Sequence, residues 1–291
     1  MFEKGEPMFA RLSNSWELVK ASVAILRDDK ELIVFPIISS IGVLLVTISF
    51  AVPMVFAGVF DSLISGQESN AGVISFIIAF LFYVAQYFVI IFFNSALIGA
   101  AMIRLRGGDP TLSDGFRIAF SNIGSIFGYA LIASTVGIIL RTISERSNFL
   151  GRIVVSLIGL VWNLATFLVV PVLVVEETGP FEAVKRSAQL LKNTWGEQIV
   201  GNLSIGMFFG ALTIAVIFLI IAPSIYLTIA FDNPTLLIVM GLLLVAVLVL
   251  IGLVSSTLSG IYAAAVYRFA AEGETGGYFQ PELVQNAFRR K

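Results

Sequence analysis

Few side chains in this chain could take part in catalysis. Acidic residues stand in pairs at Asp28-Asp29 and Glu176-Glu177, and a single acidic residue, Glu197, follows in the second half. Acid–base catalysis would require such carboxylates beside a nucleophile, a second titratable group or a metal. These carboxylates instead lie near the edges of apolar segments, mostly beside basic residues, which is typical of charged helix ends. We therefore predict no catalytic residue and a protein that is not an enzyme.

The composition narrows the chemistry further. The 291 residues include no cysteine and no histidine. Disulfides, thiol nucleophiles and the usual zinc and iron–sulfur ligands are thereby excluded, and we predict no metal and no cofactor. The loop Arg106-Gly107-Gly108-Asp109-Pro110 has glycines but lacks the lysine and spacing of a phosphate-binding loop. The formal net charge of −1 provides no strongly basic surface, so no nucleic-acid partner is expected.

Four amide side chains interrupt otherwise apolar segments: Gln86, Asn94, Asn163 and Asn202. An unpaired amide is costly in an apolar medium. Each is therefore expected to bond to a neighbouring helix, for about 1 kcal/mol or less, or to line a path for a polar solute. No ionisable residue accompanies them, which disfavours proton-coupled transport. These four are the candidate intramembrane polar residues.

The elements that carry these residues are long apolar segments. Hydrophobic residues make up 58% of the chain and charged residues 13%, whereas about a quarter of a soluble domain is charged. A membrane-spanning helix needs about 20 apolar residues. Six segments reach or approach that length without an Asp, Glu, Lys or Arg, and they predict an all-α integral membrane protein with six transmembrane helices. The segments are 32–60, 72–103, 124–140, 153–175, 199–222 and 235–267.

The distribution of basic residues predicts the orientation. Basic residues are enriched in cytoplasmic loops. With six crossings, fifteen of the 18 lysines and arginines fall on the side of the N-terminus. Only Arg141, Arg146 and Arg152 fall on the other side. We therefore expect a protein of the cell membrane with both termini cytoplasmic and residues 271–291 as a short cytoplasmic tail.

An internal repeat is visible at a shift of 165 residues. Residues 16–26 then coincide with 181–191, and five of the eleven positions are identical. In both stretches the apolar residues recur every three or four positions, the spacing of one helix face. A similar rhythm precedes the third span, at Leu112, Phe116, Ala119 and Ile123. Gly179-Pro180 and Asp109-Pro110 are the predicted helix starts.

The repeat predicts the arrangement of the whole chain, a single membrane domain over residues 1–291. Each unit would contain an amphipathic interfacial helix followed by a two-span hairpin, with units at about 8–107, 108–177 and 178–270. All three units begin on the same side, so the pseudosymmetry would be parallel and approximately threefold. The candidate interfacial residues are Trp16, Lys20, Arg104, Arg106, Lys185, Arg186, Trp195 and Glu197.

Several motifs resemble those of a known family. They include the stretch from Ser15-Trp16-Glu17-Leu18 to Phe35-Pro36, the Arg104–Pro110 loop, Thr194-Trp195-Gly196-Glu197 and the ending Tyr267-Arg268-Phe269-Ala270. The chain resembles an uncharacterised family of prokaryotic multi-pass membrane proteins, catalogued as a domain of unknown function. More distantly, it is similar to the membrane domain that accompanies some glycerophosphoryl diester phosphodiesterases. The resemblance implies a fold and a membrane location but no hydrolysis, because the phosphodiesterase barrel is absent.

Two functional classes remain open, and a third ranks below them. The first is a non-enzymatic protein that binds or organises membrane lipids or a partner, either another membrane protein or a second copy of the chain. Basic interfacial residues would attract anionic lipid with about 1 kcal/mol each. The alternative is a channel or facilitator for a small neutral or lipidic solute, lined by Asn94, Asn163 and Asn202. An intramembrane enzyme is the third.

Overall fold

The helices follow the predicted apolar segments. The computed structural model describes residues 8–56, 72–195, 204–231, 233–274 and 277–279. Every regular element in these residues is a helix. They are α1 (Met8–Asp28), a 3-10 turn (Lys30–Ile33), α2 (Val34–Phe56), α3 (Gly72–Leu105), α4 (Leu112–Ser121), α5 (Ile123–Arg146), α6 (Phe149–Ala165), α7 (Val169–Val175), α8 (Pro180–Trp195), α9 (Ser204–Phe231) and α10 (Pro234–Glu272).

Six helical stretches are long and apolar enough to cross a membrane. They are Lys30–Pro53, Ile77–Leu105, Ile123–Arg146, Phe149–Val175, Phe208–Phe231 and Thr235–Glu272. Each overlaps one predicted span, including the segment 124–140, which the structure extends into the 24-residue α5. The described residues are thus all-helical in their regular structure and have six spans, which makes this a protein of multi-pass membrane type, as predicted.

Helix α3 is the centre of the bundle. It packs against α2, α4, α5, α7 and α10. Residues 95–102 of α3 are buried throughout, as are residues 260–268 of α10. The first half of α3 is mostly half-buried, and residues 235–252 of α10 are mostly exposed. The packed core therefore lies towards one end of the bundle, where α3 and α10 both terminate.

Glycines allow the short helix α4 to sit directly on the core. A Cβ at Gly115 would lie 2.5 Å from Phe35 Cζ and 2.8 Å from the carbonyl oxygen of Ala96. A Cβ at Gly99 of α3 would lie 2.8 Å from Ile118 Cγ2 of α4. Because only hydrogen fits at both contact points, the backbones of α3 and α4 approach closely.

The fourth predicted span is not one continuous helix. It is divided into α6 and α7 by a turn at residues 166–168. Pro171 explains the position of this break, because a proline ring clashes with the carbonyl four residues earlier, here that of Phe167. The freed amide of Leu168 donates instead to Ser187 Oγ of α8 at 3.0 Å. The break is thus stabilised by a side chain from a neighbouring helix.

The predicted end of the fifth span was wrong. The segment 199–222 was expected to end before Pro223, but α9 contains Pro223 and continues to Phe231. Membrane helices tolerate proline, and the residues that follow are apolar. Residues 199–203 lie outside the described residues.

The start of α4 also differs from the prediction, which placed it at Asp109-Pro110. Thr111 is the N-cap, and its hydroxyl oxygen accepts a hydrogen bond from the amide of Asp114 at 3.2 Å. The Asp114 carboxylate accepts from the Thr111 amide in return, which completes a capping box. Hydrogen bonding by Thr111 holds the pKa of Asp114 below its ordinary value. The capping box of Thr111 and Asp114, and not Pro110, therefore sets the start of α4.

Gly206 and Gly210 of α9 do not lie at a close contact between helices. A Cβ added at either position would meet no heavy atom of the described residues within 4 Å. Gly260 of α10, in contrast, faces Leu97 of α3 so closely that a Cβ would lie 2.5 Å from Leu97 Cδ2. A glycine therefore allows a tight contact between the spans α3 and α10.

Candidate functional site

Ion pairs cluster where the core ends. Arg104 at the end of α3 donates to the carboxylate of Asp29, which follows α1, and also to Asp109 Oδ1 at 2.5 Å. The side chain of Asp29 is only 8% exposed. This pair ties the first helix to the central one. We call this part of the bundle the charged end, and define it by Asp29, Arg104, Glu176, Arg186 and Arg268.

Arg268 ties α10 to the same end. Its guanidinium is buried and donates to the carbonyl oxygen of Leu105, the last residue of α3. It also donates to Glu272 at 3.2 Å and to Glu274 at 2.5 Å. Arg106 donates to the other oxygen of Glu272. The C-terminal ends of α3 and α10 are therefore fixed side by side.

A third group joins α7, α8 and α10. The carboxylate of Glu176 accepts from Arg186 Nε at 2.9 Å and from the Tyr267 hydroxyl at 3.1 Å. Glu177 next to it has a φ of +50°, a left-handed conformation that is uncommon for residues other than glycine. Asp29 and Glu176, one residue of each acidic pair singled out in the sequence, thus join helix ends.

The last described residues fold back onto the charged end. The hydroxyl of Tyr278 donates to Asp28 Oδ2 at 2.9 Å, and this hydrogen bond raises the pKa of Tyr278. Phe279 is almost completely buried. Residues 277–279 therefore contribute to the packing at this end.

The predicted interfacial residues occupy different environments. Trp16 is 46% exposed, and Lys20 lies 5.7 Å from its ring centroid while donating to Glu17 at 2.8 Å. Arg104, Arg106 and Arg186 are engaged by carboxylates, as described above. Lys185 is exposed and has no ion pair with the described residues. The side chain of Trp195 and the whole of Glu197 lie outside the described residues.

The four intramembrane amides do not meet at one place. Gln86 of α3 donates to Thr47 Oγ1 at 2.7 Å and to the Val43 carbonyl at 3.3 Å, so it bonds α3 to α2. Asn163 is exposed on α6. Asn202 lies outside the described residues. Asn94 is the described amide that lines the cleft between α2, α3 and α10.

Asn94 faces a cleft between α2, α3 and α10 with a volume of about 250 Å³. Hydroxyl groups of Ser39, Ser256 and Ser259 also line it. The Asn94 amide forms no hydrogen bond with any described residue. No charged side chain lines the cleft. The remaining wall is apolar and is formed by Pro36, Ile90, Phe93, Leu97, Ile98, Phe167, Val170, Gly260 and Ala263. We call this feature the lateral cleft.

The lateral cleft is closed towards the charged end. Between the cleft and the charged end, residues 100–102 and 105 of α3 are no more than 3% exposed. Ala264–Tyr267 of α10, Leu32 before α2 and Phe35 in α2 are buried to the same degree. At the mouth of the cleft, Ile90 is 48% exposed and Ser256 and Ser259 are also exposed. The cleft therefore opens on the side of the bundle.

The polar groups of the cleft lie at similar depth. Asn94 precedes Arg104 by ten residues of α3, a distance of about 15 Å along the axis. Ser259 precedes Arg268 by nine residues of α10, about 14 Å. The hydrocarbon layer of a membrane is about 30 Å thick. If the charged end lies at the membrane surface, Asn94 and Ser259 therefore lie near the bilayer centre.

The break between α6 and α7 borders the cleft, since Phe167 belongs to both. Irregular backbone at membrane depth is tolerated where protein buries it or where it lines a cavity. The sequence identified Asn94 but missed Ser39 and Phe167. It also missed two serines of α10 that line the cleft, Ser256 and Ser259.

One comparison with known proteins identifies a family. The model of one protein family, described as "Family of unknown function (DUF6159)", matches residues 73–278 of the chain. No curated protein and no solved structure matches the chain. The predicted membership of an uncharacterised family is thus confirmed, whereas the similarity to the membrane domain of phosphodiesterases stays a prediction. The chain belongs to the DUF6159 family.

Proposed function

We propose that this family member is a non-enzymatic membrane protein that binds a lipid of the bilayer in the lateral cleft. The observation that carries the proposal is the Asn94 amide, which has no hydrogen-bond partner among the described residues. Leaving such a group unpaired in an apolar environment costs about 1–3 kcal/mol. A lipid that enters from the side and offers a polar group would remove that cost.

The proposed setting is the cell membrane, with the charged end and both termini in the cytoplasm. The excess of basic residues on this side supports the orientation. The opposite end carries Arg141, which donates to Glu145 at 2.7 Å and to the hydroxyl of Tyr83. An arginine that is paired in this way is compatible with the non-cytoplasmic surface.

The proposed architecture is three hairpins, each preceded by an interfacial helix, with approximate parallel threefold pseudosymmetry. The buried positions of α1, α4 and α8 support it. In α1, in α8, and in α4 together with the residue that follows it, three of the buried residues are spaced by four and then three positions, with a small residue in the middle. The triplets are Leu18-Ser22-Ile25, Gly115-Ala119-Asn122 and Ala183-Ser187-Leu190.

Anionic lipid has a smaller part in this proposal than the sequence indicated. Three of the candidate arginines already have carboxylate partners. Contact with an anionic surface would therefore depend mainly on Arg27, Lys30, Lys185 and Lys192, which are exposed and have no ion pair with the described residues.

The alternative, a channel or facilitator, receives less support. It was expected to have a polar cavity lined by Asn94, Asn163 and Asn202. Asn163 does not line the lateral cleft, and the packed residues between the cleft and the charged end leave no polar path on that side. A partner protein or a second copy of the chain stays a prediction for which no described feature argues specifically.

Replacing Asn94 by leucine tests lipid binding, because leucine has a similar size but no amide. Protein extracted in a mild detergent is examined by native mass spectrometry. We expect the wild type to retain one lipid and N94L to lose it, with about tenfold weaker binding for one lost hydrogen-bonding group. N163L changes an exposed amide outside the cleft and should retain the lipid. Equal retention by N94L and wild type would overturn the proposal.

A further inference from the structure

We infer that the ligand of the lateral cleft is an uncharged lipid with a free hydroxyl group, bound with that hydroxyl against Asn94. The inference rests on the lipid binding proposed above and adds the chemical class. It depends on four properties of the cleft: its charge, its hydrogen-bonding groups, its size and its depth.

The absence of charge among the lining residues excludes a phosphate. No Asp, Glu, Lys or Arg lines the cleft. The closest basic residue along α3 is Arg104, about 15 Å from Asn94, and it is already paired with Asp29. Burying an ion without a partner is strongly unfavourable. The headgroup that reaches Asn94 must therefore be neutral.

The hydrogen-bonding groups favour a hydroxyl over an ester. An asparagine offers an acceptor oxygen and two N–H donors, and each serine hydroxyl both donates and accepts. A ligand hydroxyl can donate to the carboxamide oxygen of Asn94 and accept from one of its N–H groups. An ester oxygen can only accept, so an ester would offer no donor to the carboxamide oxygen.

The size and depth of the cleft agree with a small headgroup. Its volume of about 250 Å³ accommodates a hydroxyl-bearing group and the first part of a chain. A charged headgroup would hold a lipid at the membrane surface, whereas an uncharged lipid can place its hydroxyl near the bilayer centre.

An apolar path leads from the mouth of the cleft. Further from the charged end, α10 exposes Val249 and Leu242, which precede Ser256 by seven and fourteen residues and therefore lie on nearly the same face of the helix. The hydrocarbon chain of the ligand would extend along this face. Two kinds of lipid share the required chemistry: a diacylglycerol and a long-chain isoprenoid alcohol.

Photoreactive lipids distinguish these cases. The full chain is reconstituted in vesicles of phosphatidylcholine that contain a trace of photoreactive diacylglycerol, isoprenoid alcohol or phosphatidylglycerol, and labelled peptides are identified. We expect one of the two hydroxyl lipids to label peptides of the cleft at least about tenfold more than phosphatidylglycerol. The double variant S256A/S259A should reduce this labelling severalfold, whereas N163L should not.

The outcomes separate the inference from the proposed function. Labelling of the cleft by phosphatidylglycerol at an equal or higher level would overturn the inference and leave lipid binding intact. Failure of every lipid to label the cleft would overturn both. Preference for the diacylglycerol or for the isoprenoid alcohol would identify the source of the hydroxyl.

Discussion

Replacing Arg104 by methionine is expected to lower the free energy of unfolding by about 3–5 kcal/mol. The Asp29 carboxylate, whose side chain is 8% exposed, would lose its guanidinium partner. Methionine retains the apolar part of the arginine side chain, so the loss of charge dominates the effect. Unfolding of the purified protein in mixed micelles, followed by circular dichroism over a titration with a denaturing detergent, measures the difference.

Two further variants isolate the cause. Arg117 forms an ion pair with Asp114, but its side chain is 76% exposed, so R117M should change the free energy of unfolding by less than about 1 kcal/mol. Replacing both partners in D29L/R104M should recover part of the stability, because no buried charge is left unpaired. If R104M and R117M had equal effects, the charged end would not be a buried anchor.

Replacing Gly115 by alanine is the second change with a large expected effect. The new methyl group would lie 2.8 Å from the backbone oxygen of Ala96, which cannot move without shifting α3. Overpacking of this kind costs about 1–3 kcal/mol. The same unfolding titration measures the loss, and α4 should become more accessible to limited proteolysis.

The matched control is Gly124→Ala at the start of α5. A Cβ at that position meets no described heavy atom within 4 Å, and alanine favours a helix over glycine by up to about 1 kcal/mol. Gly124→Ala should therefore be neutral or slightly stabilising. Equal stability of Gly115→Ala and the wild type would mean that α4 does not pack on α3 as described.

The sequence predicted the elements better than their contacts. Uninterrupted apolar runs are a local property, so all six spanning helices could be located from hydropathy and length. The end of α9 was wrong because Pro223 was interpreted as a helix boundary, whereas a membrane helix can contain proline. The break before α7 was missed, although Pro171 was visible, because the Ser187 side chain that stabilises it comes from another helix.

The site was only partly predictable for the same reason. Asn94 stood out as an amide in an apolar segment, but so did Gln86, and the sequence could not distinguish them. Gln86 has a partner on α2, whereas Asn94 has none among the described residues. Which helix faces meet is a tertiary property, and it decides whether an amide joins two helices or faces a cleft.

The most direct test of the central claim is whether the lateral cleft faces lipid or water. Because the chain has no cysteine, a nitroxide can be attached at a single position through Ser259→Cys, with Lys185→Cys as the control at the charged end. Electron paramagnetic resonance then compares collisions of the label with oxygen, which is concentrated in lipid, and with a water-soluble nickel complex. We predict that oxygen dominates at 259 in reconstituted vesicles and that the nickel complex dominates at 185. Dominance of the nickel complex at 259 would contradict the lipid-binding account.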